Sequence, residues 1–328
     1  MTDLARQEAM LEIRGLSIAY PISIGTVRAV DDVSLSLARG EALGLVGESG
    51  CGKSTLGLSV LRLLRPPGRI VSGSILYRGR EILSMGEREL LSLRGRNISM
   101  IFQNPLTSLN PLFTVERQFL ETIRVHDPSM PRARALEAVT SLLSTLGIEA
   151  GRLKEYPHQL SGGMRQRIMI GLALVLNPDI LIADEPTTSL DVIVEAGFTE
   201  LLARLRDLYG ISIVLITHNL GLVAEIADRI AVMYAGRLME VASTEEIFSR
   251  PLHPYTQGLL ACVPNIRLDQ KELAAMPGSP PDLVDPTPSC RFAPRCPRAM
   301  EVCRRAAPAV RDMGGGHEVA CHLHGGEG

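Results

Sequence analysis

Four short segments follow one another along this 328-residue chain, and their order limits the possible folds more than any single segment does. They are Gly-Glu-Ser-Gly-Cys-Gly-Lys-Ser at 47–54, Gln103, Leu-Ser-Gly-Gly at 160–163 and Ile-Leu-Ile-Ala-Asp-Glu at 180–185. The first segment fits G-x-x-x-x-G-K-[ST], in which backbone N–H groups surround the phosphates of a nucleotide. That pattern alone is typical of many nucleotide-hydrolysing enzymes, so the later segments are needed to narrow the class.

The composition excludes several classes of function. The net charge is −2, aromatic residues make up 4% of the chain and tryptophan is absent, so neither charge nor base stacking favours nucleic-acid binding. No apolar stretch reaches the roughly 18 uncharged residues of a membrane-spanning helix, and Met1–Met10 lacks the apolar core of a signal peptide. We therefore expect a soluble cytoplasmic protein that acts at a membrane only through partners.

The hydrophobic pattern predicts strands before the phosphate-binding segment. Leu11–Val46 alternates short apolar and polar runs, which is typical of antiparallel strands with one solvated face. Ala42–Val46 predicts a buried strand that leads into the phosphate-binding loop. Thr55–Leu64 predicts the following helix, which should end before Pro66-Pro67. Strand, glycine-rich loop and helix in succession are the context that the motif requires.

Further along the chain the pattern becomes helical and then returns to strands. From Thr114 to about Leu146, Leu136, Val139, Leu142, Leu143 and Leu146 are spaced to share one helix face, which predicts a helical insertion. The other predicted elements are a strand at Ile98–Phe102, a helix at Met164–Leu176 and buried parallel strands at Ile180–Ala183 and Ile211–Ile216.

Four side chains have the chemistry that phosphate transfer needs. Lys53 is expected to reach the β- and γ-phosphates, and the Ser54 hydroxyl is expected to bind Mg²⁺. Asp184 ends a buried apolar strand, where its carboxylate can hold Mg²⁺ directly or through water. Glu185 is expected to act on the attacking water as general base or orienting group. The helix after the loop adds a partial positive charge at its N-terminus.

The ordered set resembles the ATP-binding subunits of ABC transporters over about residues 11–258. The resemblance implies that Ser161, Gly162 and Gly163, at the start of a helix, contact the γ-phosphate of ATP bound to the opposite subunit. It also implies a γ-phosphate contact from His218. Gln103 would link Mg²⁺ to a helical subdomain that faces the membrane.

The same resemblance implies two further roles. Tyr20 would stack on adenine, although packing at a strand edge is an alternative for this ring. Asp191, in Ser189-Leu190-Asp191, would reach across a dimer interface. The predicted catalytic residues are Glu185 and His218, and the predicted nucleotide- and Mg²⁺-binding residues are Tyr20, Gly47, Ser49, Gly50, Cys51, Gly52, Lys53, Ser54, Thr55, Gln103, Ser161, Gly162, Gly163, Asp184 and Asp191.

Three stretches resemble one group within that family, the dipeptide and oligopeptide importers. They are Phe102–Pro111 around Gln103, Met164–Arg167 after the signature, and His253-Pro254-Tyr255. The resemblance implies three kinds of partner: a second ABC ATPase, favoured as a heterodimer over a homodimer, two transmembrane permeases and an extracytoplasmic solute-binding protein. Nickel importers share much of the pattern, so another solute remains an alternative.

The composition changes near Arg250. Proline-rich stretches at 277–281 and 286–288 replace the periodic pattern, so we expect little packed core there without a cross-link. Cys290, Cys296, Cys303 and Cys321 follow with the spacing C-x₅-C-x₆-C-x₁₇-C. Four thiolates suit Zn²⁺ or an iron–sulfur cluster. Structural zinc sites usually have C-x₂₋₄-C pairs, which are absent here, so the spacing disfavours zinc. Free thiols in a flexible tail are the third alternative.

A resemblance again narrows these choices. Arg291–Pro297 looks like the tail of dipeptide-importer ATPases, some of which hold a [4Fe–4S] cluster. The resemblance therefore implies such a cluster on the four cysteines, with His317, His322 and His324 as substitutes for the fourth ligand.

Together these inferences predict an α/β fold: an ABC-type P-loop ATPase core with an antiparallel β subdomain, a helical insertion and a small metal-stapled C-terminal extension. The nucleotide-binding domain would span residues 1–250, with its helical subdomain at about 104–165, and the extension would span 251–328. The predicted function is ATP hydrolysis that powers dipeptide or oligopeptide import from the cytoplasmic face of the inner membrane. A non-transport ABC ATPase and an added redox-sensing role remain alternatives.

Overall fold

The computed structural model describes residues 9–103, 109–187, 192–262 and 276–325. The chain divides into two compact units, one formed by Met1–Ser84 with Leu215–Gly328 and the other by Met85–Val214. None of the described helices is both long enough and apolar enough to cross a membrane.

The first unit contains an antiparallel sheet, as the alternating pattern predicts. Its strands are β1 (Leu11–Ile22), β2 (Gly25–Leu37), β4 (Arg69–Tyr77) and β5 (Arg80–Glu81), in the spatial order β2-β1-β4-β5. β1 pairs with both neighbours, with Ile13 opposite Leu35 of β2 and Ile75 of β4. Leu16 and Ile18 of β1 are fully buried, so this strand supplies much of the core.

A second set of strands in the same unit leads to the phosphate-binding loop. The fully buried β3 (Ala42–Val46) runs parallel to β9 (Arg229–Tyr234). β10 (Arg237–Ser243) pairs antiparallel with β9, and the short strands β12 (Glu318–Val319) and β11 (Arg311–Asp312) continue the pairing beyond β10. The C-terminal part of the chain therefore adds strands to this sheet.

Short helices complete the first unit: α1 (Lys53–Val60), α7 (Leu220–Ile226), α8 (Thr244–Ser249), α9 (Pro254–Ala261) and α10 (Glu301–Arg305). A 3₁₀ turn at His322–His324 lies near the C-terminus. The predicted end of α1 at Leu64 is wrong. The helix stops at Val60, and Arg62 has a left-handed backbone with φ of 50° that cannot continue it.

The second unit contains the predicted parallel strand pair. β6 (Ile98–Ile101) pairs with β7 (Ile180–Asp184), with Ile98 opposite Ile180. α2 (Glu87–Leu93) precedes β6, and α5 (Gly162–Leu174) precedes β7. α6 (Val192–Tyr209) follows β7, and β8 (Ser212–Thr217) begins in this unit, where the Ser212 N–H donates to the Asp179 carbonyl at 2.9 Å.

The predicted helical insertion contains two helices. α3 (Val115–His126) and α4 (Arg132–Thr145) are separated by a turn that contains Pro128 and Pro131, and proline interrupts helical hydrogen bonding. Short 3₁₀ helices at Ala150–Lys154 and Pro157–Gln159 lead on to α5. The predicted apolar face is buried at Val139, Leu142, Leu143 and Leu146, whereas Leu136 is half-buried.

The C-terminal segment, defined as residues 251–325, packs more extensively than its proline content predicts. Tyr255 and Phe292 are buried with Tyr234 of β9. The ring centroids lie 4.5 Å apart for Tyr234 and Tyr255, and each lies 5.3 Å from the centroid of Phe292. Such aromatic contacts contribute beyond the area that they bury. The described residues of this segment therefore contribute a packed aromatic cluster, although the expectation was of little packed core without a cross-link.

Candidate functional site

The phosphate-binding loop lies between β3 and α1, and close backbone approaches explain two of its glycines. A Cβ at Gly47, where φ is +153°, would lie 2.0 Å from the Met233 carbonyl oxygen. A Cβ at Gly52, where φ is +106°, would lie 2.1 Å from the Ala29 carbonyl oxygen. Any side chain would clash with backbone at both positions, so glycine is required by sterics.

Lys53 holds the inside of the loop together. Its Nζ donates to the carbonyl oxygens of Gly47 at 2.8 Å and Glu48 at 2.9 Å, and it lies 3.7 Å from Cys51 Sγ. Lys53 is 4% exposed, so its charge lies within the curl of the loop. Burial raises the pKa of the Cys51 thiol, against the opposing effect of Lys53. This thiol is consequently a packing group rather than a thiolate.

The start of α1 is suited to an anion. Gly52 caps the helix, and its first turn holds Ser54 and Thr55 but no acidic residue. The unpaired N–H groups of a helix N-terminus carry a partial positive charge that favours phosphate. Ser49 and Gly50, at the outer edge of the loop, are both exposed. The loop thus combines backbone donors, one cation and a hydroxyl group.

Two other predicted residues lie in the first unit. Tyr20 is half-buried in β1, and its ring lies against Gly68, where a Cβ would approach the ring to 2.4 Å. His218 is exposed directly after β8. Asn219 next to it caps α7 by accepting from Gly221 N–H at 2.9 Å, which fixes the backbone that carries His218. The nucleotide roles of Tyr20 and His218 stay predictions.

The second unit brings together two predicted residues that are 82 positions apart. Gln103 Nε2 donates to Glu185 Oε2 at 2.8 Å. Asp184 ends β7 and is 4% exposed, and Glu185 is 8% exposed. Glu185 has a left-handed backbone with φ of 43°, a conformation that is costly for a non-glycine residue and that recurs at functional sites. The carboxylate is therefore held in one orientation by both backbone and Gln103.

The signature segment starts α5, as predicted. The Ser161 side chain caps this helix by accepting from Met164 N–H at 3.3 Å. A Cβ at Gly162 would meet no atom within 4 Å, so this end of the helix is open. Gly163 follows as the second residue of the helix. Asp191 lies outside the described residues.

Gln166 is a residue of this region whose role the sequence reasoning missed. It is buried in α5, and its Nε2 donates to the Pro186 carbonyl at 2.9 Å. The bond ties the signature helix to the residue directly after Glu185. A glutamine three residues after the Gly-Gly pair was the only signal that could have shown it.

The C-terminal segment supplies contacts to the phosphate-binding loop that no motif indicated. Arg295 donates to the Glu48 carboxylate through two bonds, Nη1 to Oε2 at 2.7 Å and Nη2 to Oε1 at 2.9 Å. The Tyr255 hydroxyl accepts from the Glu48 N–H at 3.0 Å. Arg295 and Glu48 are 247 residues apart, so the spacing of residues in the sequence could not predict this pair.

The four cysteines of the segment lie near one another, but their side chains are not arranged as metal ligands. Cys290 N–H donates to the Cys303 carbonyl at 2.9 Å. Burial raises the pKa of Cys321 to about 11, and Cys290, Cys296 and Cys303 contribute to the increase. Among the described residues, no three His, Cys, Asp or Glu side chains are arranged to hold a metal ion. The geometry found here does not fit a [4Fe–4S] or zinc centre, and the predicted staple is not shown.

The predicted substitute ligands have other partners. His317 is fully buried, with Nε2 2.7 Å from Glu240 Oε1 and Nδ1 3.2 Å from Glu246 Oε2. His322 and His324 bond the carbonyls of Ala306 at 3.0 Å and Leu252 at 3.1 Å through Nε2. These histidines fasten the segment to itself and to the neighbouring elements.

The fold, the loop and the Gln103–Glu185 pair together define a P-loop ATPase of the ABC class. Residues 30–188 match the model of the ABC transporter family, and residues 239–303 match the model of the oligopeptide/dipeptide transporter C-terminal region. The chain therefore belongs to the ATP-binding proteins of ABC transporters, an ATP-hydrolysing family, in the group that carries this C-terminal region.

Curated relatives match almost the whole chain. The dipeptide transport ATP-binding protein DppD of Bacillus subtilis is 46% identical over 319 residues, covering 96% of this chain and 95% of that protein. The oligopeptide transport ATP-binding protein OppD of Salmonella typhimurium is 46% identical over 301 residues, covering 91% and 89%.

Solved structures share the core of the fold. The structure of cbiO1 from Clostridium perfringens, part of the ABC transporter complex cbiONQ, matches with a TM-score of 0.65 and 28% identity, over 74% of this chain and 92% of that one. A dimeric bacterial ABC transporter cassette matches with a TM-score of 0.64 and 26% identity, over 72% and 99%. The ABC fold predicted from the ordered motifs is confirmed.

Proposed function

We propose that this chain hydrolyses ATP to power an ABC importer for dipeptides or oligopeptides. The observation that carries the proposal is the 46% identity, over 96% of this chain, to a relative named for dipeptide transport. The match to the oligopeptide/dipeptide C-terminal region over 239–303 supports the same substrate class. Peptide import is consequently better supported than nickel import or a non-transport role.

The proposed roles of the residues follow from their chemistry. Lys53, Ser54 and the N–H groups around Gly50 and Gly52 would bind the phosphates. Mg²⁺ supplies charge neutralisation on the phosphates when bound, and the oxygens of Ser54, Gln103 and Asp184 are the donors that it prefers.

Glu185 would orient the attacking water, because its carboxylate is fixed by Gln103 Nε2 at 2.8 Å. His218 would contact the γ-phosphate. The signature residues Ser161, Gly162 and Gly163 would act on ATP held by a partner subunit, and Asp191 would lie at that interface. Tyr20 would stack on adenine.

The organisation of the protein follows the same proposal. Residues 1–250 would form the nucleotide-binding domain, with a helical subdomain at about 104–165 that transmits motion to membrane partners, and 251–328 would form the extension. The partners would be a second ABC ATPase, in a heterodimer, two permeases and a solute-binding protein. The chain would bind peripherally at the cytoplasmic face of the inner membrane.

A metal centre on the cysteines is the finer part of the proposal and is testable on its own. Four cysteine thiolates at the spacing C-x₅-C-x₆-C-x₁₇-C are the reason for proposing it, although no three His, Cys, Asp or Glu side chains among the described residues are arranged to hold a metal ion. Iron, sulfide and zinc should be measured on anaerobically purified protein. Iron together with sulfide would support an iron–sulfur cluster. Zinc alone would indicate a zinc site in its place, and protein that contains neither iron nor zinc would contradict a metal centre.

The experiment for the transport function is recovery of the assembled complex. Tagged Glu185→Gln protein, purified from native membranes with ATP present, should carry two permeases, a second ATPase and a peptide-loaded binding protein. Lys53→Ala is the matched control, because loss of nucleotide binding should reduce recovery of the second ATPase. Soluble partners alone, such as ribosomal proteins, would contradict the transport role. A binding protein loaded with metal would mean that the transported solute is a metal ion and not a peptide.

A further inference from the structure

Glu48 of the phosphate-binding loop forms hydrogen bonds through its carboxylate, its N–H and its carbonyl. Two of its three partners, Arg295 and Tyr255, belong to the C-terminal segment. Its carboxylate accepts two bonds from Arg295, at 2.7 and 2.9 Å. Its N–H donates to the Tyr255 hydroxyl at 3.0 Å. Its carbonyl accepts from Lys53 Nζ at 2.9 Å. Glu48 therefore connects the C-terminal segment to Lys53, the lysine that is expected to bind phosphate.

Arg295 itself has little freedom to move. Its side chain is 5% exposed, its Nε donates to the Pro277 carbonyl at 2.9 Å, and its Nη1 also donates to the Tyr234 hydroxyl at 3.2 Å. The bonds to Glu48 raise the pKa of the guanidinium, which stays charged. A two-pronged arginine–carboxylate pair fixes orientation as well as charge.

A second arginine of the same segment reaches the loop through the β9–β10 turn. Arg291 is buried and donates to the Ala235 carbonyl, and its Nη2 donates to Asp31 Oδ2 at 2.7 Å. The next residue of the turn, Gly236, donates its N–H to the Cys51 carbonyl at 2.8 Å. Glu48 of the loop is thus bonded directly to the stretch 291–295, and Cys51 is connected to it through the β9–β10 turn.

Charge gives the Arg295 contact a consequence beyond packing. Glu48 places a carboxylate on a loop that must attract the negative phosphates of ATP, and like charges repel. Arg295 cancels this charge and holds the carboxylate toward the C-terminal segment. Without Arg295, the carboxylate of Glu48 would lose this compensating charge on the phosphate-binding loop.

We propose that Arg295 is a positioning residue for the nucleotide site, which sets ATP affinity by neutralising and orienting Glu48. Tyr255 also helps to position Glu48, because its hydroxyl accepts a hydrogen bond from the Glu48 N–H. The inference rests on the proposed function, since it assumes that the loop binds ATP. It assigns to the C-terminal segment a direct effect on nucleotide binding in the same chain.

The test is MgATP affinity of the full-length chain, measured by calorimetry at low ionic strength. Arg295→Gln should raise the Kd by about 10-fold, the size of effect that coupled charged neighbours show, while kcat at saturating ATP changes by less than about 2-fold. The double variant Glu48→Gln/Arg295→Gln should recover to within about 3-fold of wild type, because the repelling carboxylate is gone. Arg304→Gln, at an exposed arginine of α10, is the matched control and should bind like wild type.

Rescue separates this role from simple stabilisation. If Arg295 served only packing, the double variant would bind no better than Arg295→Gln, and that outcome overturns the proposal. An unchanged Kd in Arg295→Gln also overturns it. If Arg295→Gln does not fold, Glu48→Gln alone decides: binding at least as tight as wild type supports the proposal, and weaker binding contradicts it. Lys53→Ala keeps the two proposals apart, because equal binding by wild type and Lys53→Ala would mean that the loop is not the ATP site.

Discussion

The phosphate-binding loop and the C-terminal segment differ in how far apart their stabilising partners lie along the chain. The bonds of Lys53 to Gly47 and Glu48 span six and five residues. In the C-terminal segment, Arg291 reaches Asp31 across 260 residues and Arg295 reaches Glu48 across 247. A local pattern specifies the loop, whereas the segment is specified by partners that are adjacent only in the folded chain.

The difference explains why the proline-rich sequence of the segment did not indicate how it packs. A stretch rich in proline, with four cysteines, predicts a metal cross-link when it is considered alone. In the folded chain, the buried pair of Arg291 and Asp31, the pair of Arg295 and Glu48, and the Phe292 ring perform the fastening. The phosphate-binding loop and the C-terminal segment should therefore respond differently to substitution.

The largest effect should come from Glu185, the proposed general base. Glu185→Gln should lower ATP turnover by about 10³-fold, within the 10²–10⁴ range for loss of a general base, because an amide cannot accept the proton of the attacking water. MgATP affinity and thermal stability should stay close to wild type, since a glutamine side chain is nearly isosteric with glutamate. Steady-state hydrolysis and calorimetry check both parts.

The matched control is Glu200→Gln, at an exposed position of α6. It should hydrolyse ATP like wild type. Equal turnover in Glu185→Gln and Glu200→Gln would remove Glu185 from the catalytic role and leave its bond to Gln103 as a structural contact only.

The second effect concerns stability and distinguishes the C-terminal segment from a loosely attached tail. Phe292→Ala should lower the free energy of unfolding by about 3–5 kcal/mol, because the ring is buried against Tyr234 and Tyr255 and its removal leaves a cavity. Phe248→Ala, at a 39% exposed phenylalanine of α8, should cost much less. Urea unfolding of both variants gives the comparison, and similar losses would mean that the aromatic cluster contributes little.

Much of the fold was predictable because its signals are local. Buried β3, the loop and the antiparallel β1–β2 pair follow from apolar runs and glycine positions within a few residues. The early end of α1 depends on the left-handed Arg62, and the apolar periodicity of the insertion did not show the turn between α3 and α4 that contains Pro128 and Pro131.

The candidate site likewise combines features with local sequence signals and features without them. Residue types at Lys53, Asp184 and Glu185 suffice to predict phosphate chemistry from short motifs. The bond from Gln166 to Pro186 and the positive φ of Glu185 depend on tertiary packing, which no spacing rule encodes. The same holds for Arg295, whose only sequence signal is its position next to Cys296.

The smallest effect is a pH dependence that originates in the C-terminal segment. His253 caps α9, where its Nδ1 accepts from Tyr255 N–H at 2.9 Å, and its backbone N–H donates to Glu240. Burial lowers the pKa of His253 to about 3, and the nearby His324 contributes to the decrease. The native state therefore requires neutral imidazole, whereas the unfolded chain binds a proton below its ordinary pKa of about 6.5.

The sign follows from proton uptake. Between pH 6.5 and about 3 the unfolded state holds more protons at His253, so stability is fully present above pH 6.5 and falls as the pH decreases, by roughly 1 kcal/mol per unit. His253→Asn keeps a side-chain acceptor for the cap and should flatten this slope between pH 6.5 and 5.5, whereas His158→Asn, at an exposed histidine, should leave it unchanged. Urea unfolding across that range measures the slopes. Identical slopes in wild type and His253→Asn would assign the acid sensitivity to other groups, and His253 would then be a packing residue whose protonation does not limit the stability of the segment.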